Sequence, residues 1–289
     1  MRNPDSVRLY PFDRLIIGYC ILMVLLVVVF GRPIHDYIDE ILIYTSIAIF
    51  AAAIIRWTRE DSGRAKAALR LLYPILLFTI FYRTTGGTMF LFFDKFYDSH
   101  LVAFEASIFG GDPSLYFDDH LLNTWANEIF SFCYFSYYLM LPVFLVILFF
   151  KGSYETIRRS LTAVCLTFFS SYLLFSLFPI EGPRWHFASM YAHQIKGPVF
   201  RPLVDMLIAN GAVRGGCMPS SHVAVALVIL FYAFREFRNL GWALLPIDLG
   251  MAIGTVWGRF HYVSDVVVGG AISVLAYWLV RKYYDRWAG

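Results

Sequence analysis

Charge is what this chain has least of. Asp, Glu, Lys and Arg make up 16% of its 289 residues, against 59% hydrophobic and 19% aromatic. That is too little polar surface to coat a soluble globule, so a polytopic membrane protein is expected. A formal net charge of +3 gives no basis for nucleic-acid binding. Cysteine is scarce too. Cys20, Cys133, Cys165 and Cys217 lie far apart, the first three inside apolar runs, which excludes a disulfide framework and makes them buried hydrophobes. Repeats, low-complexity tracts and soluble-domain linkers are missing, so one membrane-embedded domain is expected over residues 1–289. No His-x-x-x-His or Glu-x-x-His pair occurs in an apolar run. That removes the usual helical metal-ligand spacings and predicts chemistry without metal or cofactor.

What is there instead is apolar sequence in lengths that suit a bilayer, which needs about 20 residues per helix. Eight runs qualify, at 15–30, 40–57, 69–93, 129–150, 161–179, 219–234, 240–257 and 264–283. The first is long for a signal-peptide core and has no small-x-small cleavage site after it, so it is expected to stay as a membrane helix. The third is interrupted by Tyr82-Arg83-Thr84-Thr85-Gly86-Gly87 and reads as a spanning, broken or re-entrant segment. With eight spans, Arg2, Arg8, Arg14, Arg56, Arg59, Arg64, Lys66, Arg70, Lys151, Arg158, Arg159, Arg235, Arg238, Arg281, Lys282 and Arg286 share one side. The positive-inside rule makes that side cytoplasmic. The acidic, aromatic stretch 94–127, broken at Gly110-Gly111-Asp112-Pro113, is expected to form interfacial helices on the other side. The loop 180–218 is expected to roof a site there.

Chemistry concentrates at the mouths of two apolar runs. In Met218-Pro219-Ser220-Ser221-His222, Pro suits a first helical turn, Ser caps it, and the free N–H groups there form an anion site. In Arg259-Phe260-His261-Tyr262-Val263-Ser264-Asp265, His261 precedes Asp265 by four residues, which makes them neighbours on a helix. Arg184 follows the fifth run, His222 opens the sixth and His261 closes the seventh. Parity alone puts all three on one face of the membrane.

These two stretches resemble the last two signature motifs of the type 2 phosphatidic acid phosphatase superfamily, P-S-G-H and S-R-x5-H-x3-D, and the resemblance covers residues 179–281. Ser221 stands in place of the Gly, and Thr255 occupies the Arg position six before His261, with Arg259 two before it. The first family motif, K-x6-R-P, is missing as written. Gly182-Pro183-Arg184 and Lys196-Gly-Pro-Val-Phe-Arg201-Pro202 are its rival substitutes. The Gly-Pro-Arg form is most similar to the branch of inositol phosphorylceramide synthase-type phosphotransferases. What the resemblance implies is His261 as nucleophile on phosphorus, Asp265 as its orienter and His222 as acid to the leaving oxygen. Ser220, Ser221 and Arg184, with Arg201, Lys196 or Arg259, would hold the phosphoryl oxygens. The implied enzyme is a lipid phosphate phosphatase or head-group phosphotransferase, working at the extracytoplasmic face of the cytoplasmic membrane through a phosphohistidine. Its implied partners are a lipid phosphate or phosphodiester and, for transfer, an alcohol. The remaining histidines, His35, His100, His120, His186 and His193, read as solvated or capping residues. A rival of another class is a lipid or ion carrier, with Arg83, Glu128 and Asp248 lining a path.

Overall fold

A computed structural model describes residues 9–31, 37–58 and 63–289. The expectations placed on Arg2, Arg8, His35 and Arg59 lie outside the described residues. The chain is an all-α bundle of long helices with no β-strand among the described residues. Helices α1 (Pro11–Phe30), α2 (Ile38–Trp57) and α3 (Arg64–Thr88) are followed by two short ones, α4 (Asp98–Phe109) and α5 (Pro113–His120). Then come α6 (Thr124–Phe150) and α7 (Tyr154–Leu177), the short α8 (Pro183–His186) and α9 (Phe200–Gly211), and finally α10 (Ser221–Glu236), α11 (Arg238–Trp257) and α12 (Val263–Ala288).

Seven of these are long and apolar enough to cross a membrane. The sixth expected span is the exception. Helix α10 has 16 residues, about 24 Å at 1.5 Å per residue, which falls short of a hydrocarbon core of about 30 Å. It can be short because it is buried among its neighbours: α6, α7, α11 and α12 all pack on it, and Val223 to Ala226 and Val228 to Leu230 are buried. Its N-terminus therefore lies recessed in the bundle, and that recess is where the site forms.

The third segment is a single continuous helix, neither broken nor re-entrant. Its polar stretch is satisfied where it stands. The Thr84 and Thr85 hydroxyls donate to Ile80 O at 2.9 Å and Tyr82 O at 2.6 Å, and Arg83 donates to Asn210 O at 2.8 Å. At the other end, the buried Asp13 carboxylate of α1 accepts from Arg70 and Tyr73 of α3, tying two spans together inside the bundle.

The break expected in 94–127 falls where the sequence places it. Gly110 is left-handed at φ 76°, Asp112 accepts from Ser114 N at 2.8 Å, and Pro113 takes the first position of α5. The loop after α7 carries α8 and α9. Glu128 of α6 accepts from the N–H groups of Val199, Phe200 and Arg201 and so fixes the start of α9.

Candidate active site

The loop before α10 and the loop between α11 and α12 are joined through backbone and side chain together. Ser220 is the N-cap of α10, its Oγ accepting from Val223 N at 3.4 Å, and Ser221 is the first helical residue. Pro219 therefore lies outside the helix, one position before the cap, and not in its first turn. Ser220 N donates to Asp265 O at 2.9 Å. Gly269, one turn further along α12, permits this approach, because a Cβ there would collide with Ser220 O.

His261 likewise sits just before its helix, not on it. The α11 end is closed by Phe260 N and His261 N on Thr255 O, at 2.8 and 3.1 Å, so Thr255 is a buried helix-end residue, its hydroxyl returned to Ala252 O. Asp265 is at the third position of α12, and its Oδ2 caps that helix by accepting from Tyr262 N at 2.8 Å. The same oxygen lies 3.4 Å from His261 Nδ1 and accepts from Cys217 Sγ at 2.8 Å. All three side chains are buried. Burial pushes the Cys217 thiol well above its ordinary range, the Asp265 carboxylate beside it adding to the effect. The thiol stays protonated and acts as a donor.

With Nδ1 turned to Asp265, His261 has Nε2 left for a ligand. Its ring centroid is 5.8 Å from that of His222. His222 Nε2 is 3.4 Å from the Tyr134 hydroxyl, and its ring lies against Tyr137. Both histidines line a small pocket of about 60 Å³, together with Arg184, Glu181, Tyr82 and Tyr134. Parity predicts a shared face, and the structure goes further and brings Arg184, His222 and His261 to one pocket.

Arg184 makes no ion pair or hydrogen bond through its side chain among the described residues, and its guanidinium lies 5.2 Å from the Trp185 ring. Desolvation lowers its pKa, Asp205 countering the effect. The neighbouring Glu181 carboxylate is taken by Arg214, which offsets the negative charge it would bring to an anion site. The other expected cations stand elsewhere. Arg201 makes a bidentate contact with Asp205, at 3.1 and 2.7 Å. Lys196 is exposed at the loop surface. Arg259, in the left-handed region at φ 66°, is held by Asp118, by His193 O at 2.7 Å and over the Tyr191 ring at 3.8 Å. Desolvation lowers its pKa while Asp118 opposes that. None of Arg201, Lys196 or Arg259 lines the pocket, and neither does Ser220.

Two residues passed over in the sequence hold this arrangement. The buried Asp98 of α4 accepts from Glu181 N at 2.7 Å, Gly182 N at 2.9 Å and Tyr262 Oη at 2.9 Å. One carboxylate thus fixes the Arg184 turn and the residue after His261. Gly182, at φ 97°, is needed in that turn because a Cβ would press on Cys217 Sγ. Tyr134, the second, lines the small pocket and also a larger apolar cavity of about 340 Å³. That cavity is walled by Phe78, Tyr137, Leu141, Phe168 and Tyr172, reaches Ser221 and His222 at its inner end, and passes the exposed Thr79 and Tyr138 between α3 and α6. No sequence periodicity marks either Asp98 or Tyr134.

The buried Cys217 also bears on topology. A membrane-impermeant thiol reagent is expected to leave it unlabelled from either side. Lys196→Cys, exposed on the loop that roofs the pocket, is expected to label in intact cells. Labelling of Lys196→Cys only after the membrane is opened would reverse the orientation.

The family comparison covers this part of the chain and reaches further towards the N-terminus than the motifs do. No curated protein and no solved structure matches the chain. A family model described as PAP2 superfamily matches residues 99–279, from α4 into α12 and well beyond the stretch 179–281 that carries the motifs. The chain belongs to the PAP2 superfamily, and with it to phosphatases and phosphotransferases of phosphate esters.

Proposed function

We propose that this protein is a metal-independent lipid phosphate phosphatase or phosphotransferase acting at the extracytoplasmic face of a cytoplasmic membrane through a phosphohistidine. The observation that carries the reading is the junction of two cavities at His222. On one side is a small polar pocket with Arg184 and His261, and on the other a larger apolar one that reaches the bundle surface between α3 and α6. A phosphoryl group suits the first and an alkyl chain the second, so the bond between them would lie beside His222. The basic ends of the spans, among them Arg56, Lys66, Lys151, Arg235 and Lys282, support placing the pocket on the opposite, outer side.

In the first step His261 Nε2 attacks phosphorus while the P–O bond to the lipid breaks. His222 gives its proton to the departing oxygen. Asp265 holds the Nδ1 proton of His261 and balances the positive charge that grows on the ring. Arg184 meets the charge on the phosphoryl oxygens, a task for which a guanidinium without a carboxylate partner is suited. In the second step His222 takes a proton from water or an alcohol, which attacks phosphorus and breaks the P–N bond. Water gives phosphatase activity and a lipid or polyol alcohol gives head-group transfer, as in inositol phosphorylceramide synthase-type enzymes. The carrier reading is less well supported, because Glu128 is committed to the start of α9 and neither it nor Asp248 lines either cavity.

The test is turnover by the purified protein in detergent or vesicles with a lipid phosphate, measuring released phosphate with and without an added alcohol. Arg184→Ala is expected to lose ~2–4 kcal/mol of transition-state stabilisation, a fall in kcat/KM of about 30- to 1,000-fold. Turnover unchanged in Arg184→Ala would remove this arginine from the site. No turnover on any phosphate ester would sink the enzymatic reading.

A further inference from the structure

Cys217 Sγ, which no substrate step uses, completes a compact donor set with His261 Nδ1 and Asp265 Oδ2, the pair that orients the attacking ring. Their separations are 2.8 Å for S to O, 3.6 Å for S to N and 3.4 Å for N to O. Zinc bound tetrahedrally, at about 2.3 Å to sulfur and 2.0–2.1 Å to nitrogen and oxygen, sets its ligands roughly 3.3–3.6 Å apart. Two of the three edges already match, and the third opens once the thiol proton no longer bridges sulfur and oxygen. Asp265 Oδ1 is buried and has no hydrogen-bond partner, so the carboxylate has an unused lone-pair set in the same place. The Phe260 carbonyl lies 3.4 Å from Cys217 Sγ. Entry is through the small pocket, which both Cys217 and His261 line.

We propose that these three residues form an inhibitory site for thiophilic divalent cations, zinc above all. The inference rests on the reading of His261 as nucleophile. Binding replaces the S–H bond with an S–Zn bond and releases that proton to solvent. The metal takes the Nδ1 lone pair, so the imidazole proton moves to Nε2 and the nitrogen that would attack phosphorus has no lone pair to offer. Thiolate in the donor set selects zinc and cadmium over magnesium and calcium, which prefer oxygen. The class of regulation is therefore reversible inhibition by zinc, relieved by a chelator.

The test uses the full-length protein with zinc, cadmium or magnesium chloride as the only additions. Zinc and cadmium are expected to inhibit and magnesium not, with EDTA restoring the full rate. Changing a group that only hydrogen-bonds to a metal ligand costs about 10- to 100-fold in metal affinity, so losing a ligand is expected to raise the inhibitory zinc concentration at least about 100-fold in Cys217→Ala. Cys217→Ser, which keeps a donor for Asp265, is expected to do the same, each variant being normalised to its own uninhibited rate. His222→Ala retains all three donors and provides a readout without turnover. It is expected to show cadmium–thiolate absorbance that disappears when Cys217→Ala is added. Equal zinc sensitivity in the Cys217 variants, or no such absorbance, overturns the site while leaving the phosphohistidine reading intact. Turnover lost to EDTA and restored by one divalent ion overturns that reading itself, and the inhibitory role with it.

Discussion

His261→Ala is expected to abolish turnover while leaving lipid binding nearly unchanged. The alkyl chain would be held by a cavity walled by α3, α6 and α7 side chains, and the phosphoryl charge by Arg184, none of which depends on the imidazole. Removal of the nucleophile takes away the covalent route, a loss of the order of a million-fold where comparable nucleophiles have been deleted. His222→Ala differs in kind. It removes the acid, so its deficit should shrink on a lipid analogue whose leaving group is a nitrophenol, which departs without a proton. The two roles separate when radiolabelled lipid phosphate is quenched in base: an acid-labile phosphoryl group is expected on His222→Ala and none on His261→Ala. The reverse pattern would exchange the two histidines, and label on neither would count against a covalent intermediate.

The bundle was legible in the sequence because hydropathy measures the term that decides membrane insertion. The spans begin and end within a few residues of the apolar runs in most cases, as in α2, which starts at Ile38 and ends at Trp57. The third segment was ambiguous for a physical reason. Hydropathy penalises Arg83, Thr84 and Thr85, but their hydrogen bonds to Asn210, Ile80 and Tyr82 carbonyls are made in the fold and are invisible to a residue-by-residue scale. Helix α10 was expected as a short span, and nothing local says that four neighbouring helices would recess its start.

The site divides along the same line. His222, His261 and Asp265 lie on motif spacings, and parity of spans puts the two histidines on the same face as Arg184. The choice among cations was not legible, since an arginine's availability depends on which carboxylate reaches it. Asp205 is one turn from Arg201, a pair the spacing alone suggests, whereas Asp118 reaches Arg259 across 141 residues of chain. The contacts of Asp98 and Cys217 beneath the pocket were illegible for another reason. An acidic residue in a short helix and a cysteine beside a glycine-rich turn carry no periodic signal, and only the fold sets them against Tyr262 and Asp265.

Asp265→Asn is expected to lower kcat by about 1,000- to 10,000-fold with little change in KM, the scale seen when the orienting carboxylate of a base–carboxylate pair becomes an amide. Three donors meet on Oδ2: the Tyr262 amide, the Cys217 thiol and the His261 ring. An amide offers one oxygen and one nitrogen. If the oxygen keeps the helix-capping bond to Tyr262 N, the fold is retained, but the neutral group no longer balances the charge that forms on His261 as Nε2 bonds to phosphorus. If the nitrogen faces His261 instead, it donates to Nδ1 and forces the proton onto Nε2, the wrong tautomer for attack. Either orientation disables the step without touching Arg184 or the apolar cavity, which is why the deficit should fall on kcat. Asp265→Ala is a harsher change, because it also takes away the α12 cap, worth about 0.5–2 kcal/mol of stability. The comparison is decisive when thermal unfolding is followed beside turnover. Asp265→Asn with near-native stability and a collapsed kcat supports the orienting role, whereas a rate loss that tracks unfolding, or an Asn variant with near-native kcat, would leave the Asp265 side chain only the task of capping α12.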